Sequence, residues 1–193
     1  LADCCYYAMF SYCTALTSAP DLPAETLAGG CYLEMFINCT NLTKAPELPA
    51  KTLTYACYQF MFWGCTSLTQ APELPATTLV YNGYFSMFKN CTSLTKAPVL
   101  PATTLAEKCY FCMFYGCTSL TQAPALPATT LADYCYNEMF NGCSSLTNAY
   151  FPNLEKETVA TKVVQKQEAY RILIYLYSLG KLSNTCSDVE RLS

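Results

Sequence analysis

Fourteen cysteines and not one histidine set the terms for any chemistry this chain of 193 residues could do. Without histidine, the commonest general base and the commonest neutral metal ligand are both missing. Cys109-Tyr-Phe-Cys112 has the C-x-x-C spacing of redox and zinc motifs, but a cysteine-only zinc site needs two such pairs and the chain has one. The acids Glu34, Glu107 and Glu138 are scattered, and no glycine-rich phosphate loop occurs. No catalytic residue, cofactor or metal ligand is therefore assigned, and a binding or structural role is expected. The formal charge is −3 without any basic run, which argues against nucleic acid or an anionic membrane surface as partner. The longest strongly apolar run, Ile172 to Tyr177, is far too short to insert into a bilayer.

The cysteines gain meaning once their spacing is read. Met-Phe recurs at 9, 35, 61, 87, 113 and 139, and Cys13, Cys39, Cys65, Cys91, Cys117 and Cys143 keep step with it. Both ladders have a period of 26, and six copies end near Thr147. A second ladder, Cys5, Cys31, Cys57, Cys109 and Cys135, has Gly83 in place of one rung. A missing rung is awkward for obligatory disulfides and harmless for a packed thiol, so the ladder cysteines are read as reduced core residues. Cys4, Cys112 and Cys186 stand outside both ladders.

The elements that must position these residues follow from the unit. Leu27, Ala28, Cys31, Tyr32, Met35, Phe36 and Cys39 sit at i, i+3, i+4, i+7 and i+8 spacing, one face of an α-helix. Thr26, Thr52, Thr78, Thr104 and Thr130 suit its N-cap, and Asn38, Gly64, Asn90, Gly116 and Gly142 suit its left-handed close. The proline-paired half, such as Leu42 to Leu48, reads as a short parallel strand, because proline has no N–H for a ladder. Strands sit about 4.8 Å apart and packed helices about 8–10 Å. The expected fold is therefore an α/β, right-handed, curved parallel solenoid: six strand-plus-helix units over residues 1–149, helices outside, strands inside.

The unit SLTxAPxLPATTLAxxCYxxMFxGCT resembles the BspA-like leucine-rich repeats of bacterial surface proteins over residues 1 to about 149. That resemblance implies a leucine-rich-repeat horseshoe in a secreted or surface-anchored protein that binds host or neighbouring-cell proteins. Ala-Pro replaces the aliphatic pair of the strand, and Met stands where many such repeats have Ala. Leu1 falls in mid-motif, so the chain reads as a piece of a longer protein.

Unit positions 29, 30, 33, 34 and 37 vary where the core positions do not. They carry Tyr7, Leu33, Ile37, Tyr55, Phe60, Trp63, Tyr81, Phe85, Phe111 and Tyr115, including the chain's single Trp. Drift on a wet face yields mainly small polar and charged residues, whereas exposed aromatics are the substance of binding hot spots. Tyr55, Trp63, Tyr81, Phe85, Phe111 and Tyr115, in three adjacent units, are the candidate partner-binding patch on the convex helices. Lys44, Gln70 and Lys96 on the concave side are a second candidate surface, or else a solvated sheet. Residues 150–193 read as a C-terminal helical cap or docking segment, with a helix over Glu155 to Leu179 that Gly180 ends. Two functions stay open: a surface module recognising a protein, or a passive spacer presenting another domain.

Overall fold

The structure is a computed structural model and describes residues 1–147. The expected C-terminal cap, its helix and Cys186 lie outside the described residues. Units stack in register: Ser18 pairs with Lys44, Lys44 with Gln70 and Gln70 with Lys96, each pairing parallel and 26 residues apart.

The helices are not there. Among the described residues the expected α/β horseshoe is replaced by ribbons of consecutive turns at 3–12, 29–38, 55–64, 81–90, 107–116 and 133–142. In unit two, the N–H groups of Cys31, Leu33, Met35 and Ile37 donate to the carbonyl three residues back, at 3.1–3.3 Å. Those of Gly30, Tyr32, Glu34, Phe36 and Asn38 donate instead to Tyr55, Cys57, Gln59, Met61 and Trp63 of the next unit, at 2.6–3.1 Å. An α-helix keeps every such bond within the element, four residues back. Here half of them leave the element and tie neighbouring units together. Every fourth residue, such as Gly30, Glu34 and Asn38, takes φ of 56° to 57°, which no run of right-handed helix permits.

The ribbon accounts for the apolar pattern as well as a helix does. Its backbone reverses every two residues, so Cys31 and Tyr32 point in, Leu33 and Glu34 out, Met35 and Phe36 in. The i, i+3, i+4, i+7, i+8 pattern is common to both shapes. The core is correspondingly ordered: Tyr32, Tyr58, Tyr84 and Tyr110 stack, as do Phe36, Phe62, Phe88 and Phe114, with centroids 5.6–5.9 Å apart. Fully burying one such ring contributes on the order of 2–3 kcal/mol.

The proline-paired half supplies the other wall. Leu42, Pro46, Leu48 and Ala50 turn inward and the residues between them mostly face out, the two-residue alternation of extended chain. Strand pairing shrinks to isolated bridges, since each proline removes a donor. The threonines read as helix caps pair with each other instead: Thr26 bridges Thr52, and Thr78 bridges Thr104. Neighbouring threonines add side-chain rungs, with Thr43 Oγ1 donating to the Thr17 carbonyl at 3.1 Å and Thr147 Oγ1 to that of Thr121 at 2.8 Å.

The Asn and Gly residues read as helix ends also have another role. Gly64 and Gly116 sit at φ 75° and 72°, and a Cβ on either would run into the amide oxygen of Asn38 or Asn90 one unit earlier. The alternation Asn38, Gly64, Asn90, Gly116 is steric: each Asn side chain lies over the following glycine.

Candidate interaction surface

Building outward from the ribbon, the variable positions become two sets of rings. Phe60 lies 5.3 Å from Trp63 and meets Phe85 edge-on at 5.2 Å, and Phe85 stacks on Phe111 at 4.8 Å. Lys89 reaches over Trp63 at 5.4 Å and over Tyr115 at 4.7 Å. Trp63, Lys89 and Tyr115 share one column in three successive units, so the ammonium is held between rings above and below it. Such cation–π contacts are worth about 0.5–1 kcal/mol at exposed sites.

The second set contains Tyr55 and Tyr81, stacked at 5.7 Å. Lys108 lies over Tyr81 at 5.6 Å and over Tyr134 at 5.7 Å, and it contacts Glu107 at 3.0 Å. The hydrogen bond Lys108 donates to that carboxylate raises the Lys108 pKa, so the group is a cation at neutral pH. Tyr55 is 60% exposed and Tyr81 38%. Trp63, Phe85, Phe111 and Tyr115 are half-buried.

The six candidate residues are thus all on the outer face, in two sets. Positions 29, 33 and 37 are equivalent places on the four-residue ribbon. Ile37, counted among the outer residues, is buried at 6% exposure. Phe60 and Lys89 join the first set beside the six candidates. Phe60 was visible among the variable aromatics. Lys89 was not, because a lysine at an outward position reads as solvated until its column neighbours are seen to be rings.

Lys44, Gln70 and Lys96 are exposed and paired in one column. Glu47 and Glu73 are exposed beside them, but Val99, 79% exposed, interrupts the acidic column. This surface is mainly polar and charged, with Val99 as an exposed apolar side chain.

No disulfide joins the thirteen described cysteines. The ladder in step with Met-Phe has a use that spacing could not reveal. Cys39, Cys65, Cys91, Cys117 and Cys143 each place Sγ 3.0–3.1 Å from the carbonyl of Phe10, Phe36, Phe62, Phe88 or Phe114 one unit back. The Phe36 carbonyl also takes the Cys39 N–H at 3.1 Å, so both its lone pairs are engaged. Burial raises the thiol pKa values, to about 11 at Cys39 and about 12 at Cys57 and Cys109. These thiols keep their protons near neutrality and are poor nucleophiles. Burial likewise lifts the Tyr32 phenol to about 12. Among the described residues no three His, Cys, Asp or Glu side chains gather to hold a metal ion. No helix there is long and apolar enough to cross a membrane.

No protein-family model matches the chain, and no curated protein matches it. Solved leucine-rich-repeat proteins do. One, from Bacteroides ovatus ATCC 8483, is 22% identical with a TM-score of 0.43, over 76% of this chain and 40% of that one. Another is a leucine rich cell surface protein from Faecalibacterium prausnitzii A2-165, 20% identical with a TM-score of 0.28, over 62% of this chain and 22% of that one. The resemblance read from the repeat thus has counterparts among solved leucine-rich-repeat proteins. The chain spans less than half the length of either, and at these values the likeness carries no functional inference.

Proposed function

We propose that this repeat array is a non-catalytic recognition or adhesion module of a surface or secreted protein, docking a protein partner on the outer face of its turn ribbons. The observation that supports it is the joined set Phe60, Trp63, Phe85 and Phe111, with Tyr115 linked through Lys89. Large aromatics grouped on the wet side of an array are the material of hot spots, and clustered apolar surface of this kind marks interaction sites. Secreted or surface placement rests on the repeat resemblance. Burial keeps the Cys39, Cys57 and Cys109 thiols protonated near neutrality.

The test is capture from bacterial and host surface extracts by the parent chain and by two variants. A specific partner should be retained by the parent and by Lys44→Ala/Lys96→Ala, and lost with Trp63→Ala/Phe85→Ala. The reverse pattern moves the site to the Lys44, Gln70, Lys96 column. Retention of nothing by the parent favours the passive spacer.

A further inference from the structure

The tyrosine column inside the stack poses a hydrogen-bonding problem that the protein does not solve by itself. Tyr58, Tyr84 and Tyr110 are each 1% exposed, and none of their hydroxyls meets a protein donor or acceptor. One buried polar group left unpaired is costly. Three in register, at the same position of three successive units, form a pattern.

The ring geometry shows what fits between them. Tyr58 and Tyr84 stack with centroids 5.9 Å apart and an interplanar angle of 3°, Tyr84 and Tyr110 at 5.8 Å and 11°. Nearly parallel rings translated by one rung carry their hydroxyl oxygens about one rung apart. That is too far for a direct bond, because an O–H···O contact is about 2.8 Å long. It is close to two such contacts end to end. A single oxygen placed midway therefore reaches both hydroxyls at ordinary length. Each phenol can donate one bond and accept another, so the arrangement repeats along the column without a mismatch.

We propose that the tyrosine column binds a file of internal water molecules, one between each pair of successive hydroxyls from Tyr58 to Tyr110. Each water receives at least two partners, the low end of what buried waters have. Toward the N-terminal end the column passes through Tyr32 to Tyr6, which is only half-buried, and this end gives water a way in. Tyrosine rather than phenylalanine at these positions then has a reason. The neighbouring Phe36, Phe62, Phe88 and Phe114 column shows that the stack accepts plain rings just as well.

Removal of one hydroxyl tests this by the sign of its effect. Tyr84→Phe keeps the ring stack and takes one partner from each of two waters, so the thermal midpoint should fall by about 2–4 °C. A midpoint that is unchanged or higher overturns the proposal, since deleting an unpaired buried hydroxyl is favourable. Should the variant fail to fold, diffraction from crystals of the parent chain decides. Density midway between the Tyr58 and Tyr84 hydroxyls supports the file, and its absence at high resolution refutes it.

Discussion

Two tyrosine ladders run through this molecule at nearly the same pitch. Tyr32, Tyr58, Tyr84 and Tyr110 stack inside at 5.8–5.9 Å, and Tyr55 and Tyr81 stack outside at 5.7 Å. For these tyrosines the ring spacing follows the rung of the array on either side, whereas the outer pair Phe85 and Phe111 closes to 4.8 Å. The surroundings differ. An inner ring has neighbours on all sides, so any change of size is felt in two adjoining units. An outer ring has its stacking partner on one side and water on the other. Chemical monotony inside and variety outside follow from that contrast, and each prediction below presses on one side of it.

Base should break the inner face first and most strongly. Cys57 and Cys109 have pKa values raised by burial from 9.0 to about 12. Below about pH 9 both the folded and unfolded states hold these protons, and the stability is fully present. Above it the unfolded chain ionises while the folded one does not. Each such thiol then removes about 1.4 kcal/mol per pH unit, until pH passes its folded pKa. Cys31, Cys39, Cys65, Cys91 and Cys117 are raised as well and add in the same direction. Urea midpoints measured from pH 7.5 to 10.5 should drop steeply above 9, and a flat profile would mean that the thiols reach solvent.

Phe88→Ala removes a ring stacked between Phe62 and Phe114 at 5.6 and 5.7 Å. The expected loss is about 3–5 kcal/mol in denaturant unfolding. A loss near 1 kcal/mol would show that the column repacks. Gly116→Ala is smaller, about 1–3 kcal/mol, because the new Cβ strains a positive φ and meets Asn90. Asn90→Gly in the same chain should return part of that loss, and strict additivity of the two changes would show that the Asn does not lie over the glycine.

On the outer face the order of effects should invert. Trp63→Ala should weaken partner binding by about 2 kcal/mol, while a half-buried ring with open water beside it costs the fold about 1 kcal/mol or less. Titration calorimetry of the captured partner against both chains, beside denaturant unfolding, separates the two quantities. A stability loss as large as that of Phe88→Ala would place Trp63 with the core.

Much of this contrast is legible in the residues. The strict spacing of 26 defines the unit, and the repeated Cys, Tyr, Met and Phe positions name the inner columns. Leu27, Cys31, Met35 and Cys39 also hold a spacing of four without a break. On a helix turning 100° per residue, a row at steps of four drifts by about 40° each time, roughly 120° over three steps. A row that stays inward over that distance belongs to a shape that repeats every four residues. The signal for the turn ribbon is present in the spacing, masked by the intervals of three and four that a helix shares.

What the sequence by itself determined is which residues lie in register and which face inward, because burial of apolar columns depends only on their period. The path of the backbone between those columns was decided by tertiary structure. The N–H groups at alternate ribbon positions bond to carbonyls 25 residues further along the chain, and such partners exist only once the next unit is in place. Local propensity weighs a turn against a helix within one unit. The unit above supplies the bonds that make the turn the better choice, and no window of a single unit contains them.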